Sequence, residues 1–189
     1  MILLILGLIL FVGAHLVPTQ VEMRAGAVAR FGENTYKGLF SLVAFAGLFL
    51  IIYGFGLARH APSANPLLWD PPRWTRHATM TLMLPVFVLL AAAYLPGRIS
   101  AALKHPMLVS VKLWAFAHLL VSARLANLIL FGALLAWAVY DRISVKRRGI
   151  AIKSGPVRND FIALAIGIAA YAFMVLWGHT LLIGIPLMP

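Results

Sequence analysis

The chain has no cysteine and only five acidic residues among its 189 positions. Without thiols it forms no disulfide and holds no Cys-ligated cluster, and its redox compartment cannot be read from thiols. Charged residues make up 11% of it and hydrophobic ones 62%, against about 25% charged in soluble proteins. A soluble domain, which the length alone would suit, is thereby excluded. The five acids (Glu22, Glu33, Asp70, Asp141 and Asp160) all fall outside the long apolar stretches. That argues against proton pumping through a chain of carboxylates. There is no phosphate-binding glycine loop, no His-Glu-x-x-His and no nucleophile elbow, which counts against ATP use and metalloprotease chemistry. The net charge of +11 has no basic domain behind it, so nucleic acid is not an expected partner. Lys and Arg belong to loops, where they set orientation and meet anionic headgroups of the bilayer.

Apolar runs recur from end to end, which predicts an all-α integral membrane bundle in a single domain over 1–189. A hydrocarbon core of about 30 Å needs roughly 20 helical residues. On that ruler six spans are expected: Ile2–Val17, Leu39–Leu57, Ala78–Leu95, Met107–Val121, Leu125–Tyr140 and Phe161–Leu182. The fourth and fifth are short and separated only by Ser122-Ala123-Arg124. They form one tight hairpin, or one of them is partly interfacial and five spans cross. Pro18, Gly56, Pro96-Gly97 and the prolines at 62, 66, 71 and 72 supply breaks, and Asn159-Asp160 is placed to cap the sixth span. The first segment lacks a basic n-region and a good cleavage site, so it reads as a retained span, not a signal peptide. With six spans, one side holds 11 of the loop Lys and Arg residues and the other 4, Lys112 excluded. The positive-inside rule then puts the Arg142–Arg158 loop in the cytoplasm and both termini in the periplasm, across an inner membrane. Trp69 and Trp74 flank a rigid Asp70-Pro71-Pro72-Arg73 stretch that suits an interfacial anchor or a lid.

Where acids and thiols are missing, imidazoles are present. Five of the six histidines lie in or beside apolar segments. A polar ring in hydrocarbon is costly unless it meets a partner, a cavity or a cofactor, and imidazole can ligate metal, carry a proton or accept a hydrogen bond. His118 sits within the fourth span, one turn after Trp114 on the same face. His15 lies near the inner end of the first span, after the small residues Gly13 and Ala14, which let a helix or a flat macrocycle approach. Each is a candidate metal ligand or an interhelical hydrogen-bonding group. His105 precedes Pro106 at the start of the fourth span and suits a substrate or proton contact. Lys112, seven residues on and on the same face, either snorkels to the interface or completes a cationic site with His105. His77, beside Arg76, and His179 stand at the outer ends of the third and sixth spans. They are interfacial, or form an outer site if those helices adjoin. His60, in the Pro-rich loop, reads as solvated.

These blocks together resemble one family. They are Gly13-Ala14-His15, Lys37-Gly38-Leu39-Phe40, Leu68-Trp69-Asp70-Pro71-Pro72, Arg76-His77, Leu95-Pro96-Gly97-Arg98 and Lys104-His105-Pro106-Met107. They continue with Lys112-Leu113-Trp114-Ala115, Ala117-His118-Leu119, Trp137-Ala138-Val139-Tyr140-Asp141-Arg142 and His179-Thr180-Leu181-Leu182. Nearly the whole chain is similar to the NnrU family of membrane proteins. Ser122-Ala123-Arg124 departs from the turn usual there. The family was named for a link to nitrite and nitric oxide reduction in denitrification. The resemblance extends to plant zeta-carotene isomerase, which binds haem b and isomerises a carbon–carbon double bond. It implies haem b as cofactor, with His15 and His118 as iron ligands and Trp114 beside them. It further implies His105 and Lys112 as site residues toward an apolar small-molecule substrate.

Three readings follow. The first is a haem-b membrane protein in redox chemistry, isomerisation or nitrogen-oxide metabolism. The second is a non-catalytic accessory or transport protein needed for reductase expression or maturation, its histidines serving interhelical hydrogen bonds. The third is a membrane methyltransferase, for which only Asp141 and Asp160 offer a carboxylate to a ribose.

Overall fold

A computed structural model describes residues 1–149 and 154–188. The elements run α1 (Ile2–Leu16), a 3₁₀ turn (Val17–Thr19), α2 (Val21–Phe31), α3 (Glu33–Arg59), α4 (Trp74–Tyr94), α5 (Arg98–Leu103) and α6 (Pro106–Val121). α7 (Leu125–Arg147), α8 (Val157–Phe173), a π-helical turn (Met174–Gly178) and α9 (His179–Ile183) complete them. The protein is an all-α membrane protein, with no strand among the described residues. Five helical stretches are long and apolar enough to cross a bilayer: Ile2–Thr19, Glu33–Arg59, Trp74–Tyr94, Leu125–Arg147 and Val157–Ile183. The sixth expected span, α6, has 16 residues, or about 24 Å of helix, short of a hydrocarbon core of about 30 Å.

Several helices outrun the apolar runs that announced them. α3 begins at Glu33 rather than Leu39, and α7 continues to Arg147, seven residues past Tyr140. The first part of the expected Arg142–Arg158 loop is therefore helical. Hydropathy marks only the residues in oil, whereas the backbone hydrogen-bond ladder runs on into the interface. α2 and α5, too polar or too short to count as spans, were not expected at all. Lys153, counted among the inward basic residues, lies outside the described residues.

The chain forms two compact units, 1–72 with 118–148 and 73–117 with 149–189. In the first, α1 and α3 pack antiparallel through glycines. A β-carbon on Gly7 would lie 2.6 Å from Ile51 N, one on Gly47 would lie 2.6 Å from Phe11 N, and Gly54 is pressed equally hard on Leu4. Glycine is what lets the two backbones approach this closely. The Pro-rich loop is pinned to the start of α7. Asn65, 1% exposed, accepts the Ala126 N–H on Oδ1 at 2.8 Å, and its carbonyl accepts from Arg124 at 3.0 Å. Leu67 makes an antiparallel bridge to Arg124.

In the second unit, α4 lies against α8, with Gly167 on the Val88 backbone and Tyr171 donating to the Met80 carbonyl at 3.0 Å. Two buried hydroxyls tie α4 to α6 reciprocally. Thr79 donates to Ala117 O at 2.8 Å, and Ser110 donates to Val86 O at 3.0 Å. The second rung falls one residue past Pro85, the proline inside α4. Asn159-Asp160 does not cap its own helix, whose N-cap is Pro156. Asp160 instead accepts from Arg98 N and Ile99 N at 3.0 and 3.1 Å. It thus caps α5, a partner remote in sequence, and Asn159 donates to Pro96 O at 2.6 Å.

Candidate functional site

His15 occupies the last turn of α1, in the first unit. Its Nδ1 lies 2.7 Å from Phe11 O. A carbonyl only accepts, so Nδ1 carries the proton and the neutral ring keeps its lone pair on Nε2. This is the arrangement that orients a metal-ligating histidine through its second nitrogen. Three aromatic rings surround the imidazole. Phe11 lies at 4.2 Å between centroids, and Phe40 and Trp137 lie edge-on at 5.2 Å each. The Trp137 indole N–H is buried without a hydrogen-bond partner among the described residues.

His118 also belongs to the first unit, where it stacks on Phe131 at 4.6 Å and 23°. Both imidazoles thus meet α7, His118 at Phe131 and His15 at Trp137. Six residues of helix separate those positions, about 9 Å along the axis and about 120° around it. The two rings are half-buried. Among the described residues no three His, Cys, Asp or Glu side chains gather to hold a metal ion.

The remaining candidates lie in the second unit. His105 and Lys112 are half-buried, with Pro106 as the first residue of α6 as expected. Lys104 before them adopts a left-handed φ of 64°, and the His105 carbonyl accepts from Val109 N to open the helix. Trp114 is half-buried on the same helix. Arg76 and His179 converge on one segment: Arg76 donates to Leu187 O, and His179 Nδ1 donates to Ile185 O at 2.7 Å. They secure the chain after α9. His77, next to Arg76, is exposed, and so is His60.

The sequence model described as NnrU protein matches residues 3–187. This chain belongs to the NnrU family. No curated protein and no solved structure matches it. Within this NnrU chain, sequence reasoning passed over Asn65 and Trp137. Asn65 looked like loop polarity, and Trp137 like one more interfacial aromatic. The signal for Trp137 was its six-residue spacing from Phe131 on one helix, which only the fold turns into two imidazole contacts. The two carboxylates that a ribose would need are engaged otherwise. Asp160 caps α5, and Asp141 lies 3.8 Å from Arg148. The methyltransferase reading gains nothing from them.

Proposed function

We propose that this NnrU-family membrane protein binds haem b through His15 and His118. We place it in the inner membrane with both termini periplasmic. The observation that carries the reading is the His15 ring, its proton fixed on Nδ1 by Phe11 O and its Nε2 lone pair left over in an aromatic surround. The absence of a three-ligand cluster among the described residues favours a macrocycle over a bare ion, because the macrocycle brings four nitrogens of its own and asks the protein for one or two. The offset of the two imidazoles along α7 likewise suits a broad ligand.

When bound, haem supplies an iron centre for one-electron transfer or for activating a substrate. The chain's residues do the rest. Phe11, Phe40, Trp137 and Phe131 exclude water from the two imidazoles. His105 and Lys112 are the proposed contacts to an apolar substrate, a proton carrier and a cation respectively. We assign the protein to nitrite and nitric oxide reduction or to a redox-type isomerisation.

Protein made with ample haem and purified in detergent should show a Soret band. His15→Ala and His118→Ala should each reduce it at equal protein, with His60→Ala unchanged. A colourless, folded preparation overturns the proposal and favours the accessory reading. Rescue of reductase maturation in cells by a variant lacking all five membrane histidines would point the same way.

A further inference from the structure

Four buried side-chain groups lack a hydrogen-bond partner among the described residues: Tyr36 Oη, Asn65 Nδ2, Trp137 Nε1 and Arg148 Nε. Three of them lie at one end of the first unit. There the end of α1, the start of α3 and the end of α7 come together. His15 touches Phe40 and Trp137, Gln20 donates to Tyr140 at 2.8 Å, and Ser144 and Arg148 donate to Thr19 O and Pro18 O at 3.2 and 3.3 Å. Tyr36 lies one turn before Phe40, with the Arg24 guanidinium 5.9 Å over its ring.

The three groups share a chemistry: each can donate. A buried donor left alone costs about 1–3 kcal/mol, so three at one end amount to a shortage of acceptor oxygens. The protein's own acid there, Asp141, approaches Arg148 on Nη2 at 3.8 Å and leaves Nε unmet. The surround is otherwise aromatic and apolar. A ligand that matches it is apolar over most of its length and ends in a carboxylate, which accepts several hydrogen bonds and balances the Arg24 and Arg148 cations.

We infer that the acid end of an apolar carboxylic ligand docks here, with the Trp137 N–H as its donor beside His15. The assignment to haem rests on the reading above, and on that reading the carboxylates are the propionates of haem b. Trp137 is then a positioning residue, since it holds the ligand's edge and does not touch the iron.

The test compares haem b, its dimethyl ester and oleate on the purified full chain, by Soret titration and by displacement of a fluorescent fatty acid. Wild-type protein should bind haem b about tenfold more tightly than the ester, the difference between a charge-assisted and a neutral hydrogen bond. Trp137→Phe should lose most of that preference while keeping the Soret position set by the imidazoles, and Trp137→Gln, which restores a donor, should regain part of it. If the Phe variant does not fold, the indole N–H resonances of wild-type protein provide the measurement. One of them should move with zinc protoporphyrin and not with its ester. Equal binding of haem b and ester by wild type overturns the docking and leaves the haem reading standing. Binding of oleate that depends on Trp137, with no binding of haem, supports the docking and overturns haem. Failure of all three ligands to bind overturns both.

Discussion

The carboxylate of Asp160 closes on the α5 N-terminus so tightly that Gly97 beside it has no room for a β-carbon. One acid from α8 thus satisfies two N–H groups that a six-residue helix cannot pair within itself. Asp160 is the only acidic residue in the second unit.

Removing that cap should be felt. Asp160→Ala is expected to destabilise the protein by about 1–2 kcal/mol, read as a lower midpoint in thermal scans in detergent. Asp160→Asn, which keeps an acceptor, should recover much of the loss. Gly97→Ala should fail in the same assay although it removes no hydrogen bond, and an unchanged midpoint for both Ala variants would refute the cap.

The glycine seam of α1 and α3 makes a harsher prediction. Gly47→Val would drive its side chain into the Phe11 backbone, and overpacking of this kind costs about 1–3 kcal/mol. Gly13→Val, at a glycine with open space around it, should be tolerated. Size-exclusion profiles of the two in one detergent compare them directly.

Thr79→Val and Ser110→Ala each delete one rung between α4 and α6. Interhelical hydrogen bonds in membranes average about 0.6 kcal/mol, so each variant should be mildly destabilised. The rungs are seven residues apart on each helix, about 10 Å, and the double variant should be close to additive.

Loss of Arg76 or His179 should loosen the chain after α9. Arg76→Gln or His179→Gln is expected to speed amide exchange at 184–188 about fivefold, a loss near 1 kcal/mol, with no change in α4. Protection that stays at the wild-type level would show that these two contacts hold nothing in place.

Because the chain has no cysteine, its orientation can be mapped on an otherwise native background. Ser63→Cys should react with an impermeant thiol reagent from the periplasmic side and Ser154→Cys only after the membrane is opened. The reverse pattern would invert the assigned topology.

What the sequence made legible follows from what oil demands. The spans were readable because apolar length is set by bilayer thickness, and α6 was already marked as short. The helix ends were not. Glu33, Arg142 and Arg147 carry charge that ends an apolar run without ending a helix. Asp160 shows the same limit for polar groups: sequence spacing suggests a neighbour along the chain, and the fold supplied one 61 residues away in Ile99. His15 and His118 stood out as polar rings in apolar surroundings. That they meet the same helix depends on how α1, α6 and α7 assemble, which spacing within any one of them does not encode.

The wide turn at Met174–Gly178 has its own effect on how this chain tolerates change. Such a turn takes in one residue more than a regular coil, so everything beyond it is advanced by about 100°. Losing a single residue between Tyr171 and His179 would leave a longer, smoother rod. It would also swing the His179 ring a quarter-turn away from Ile185, so length variation in that stretch works as a dial on where the ring is aimed.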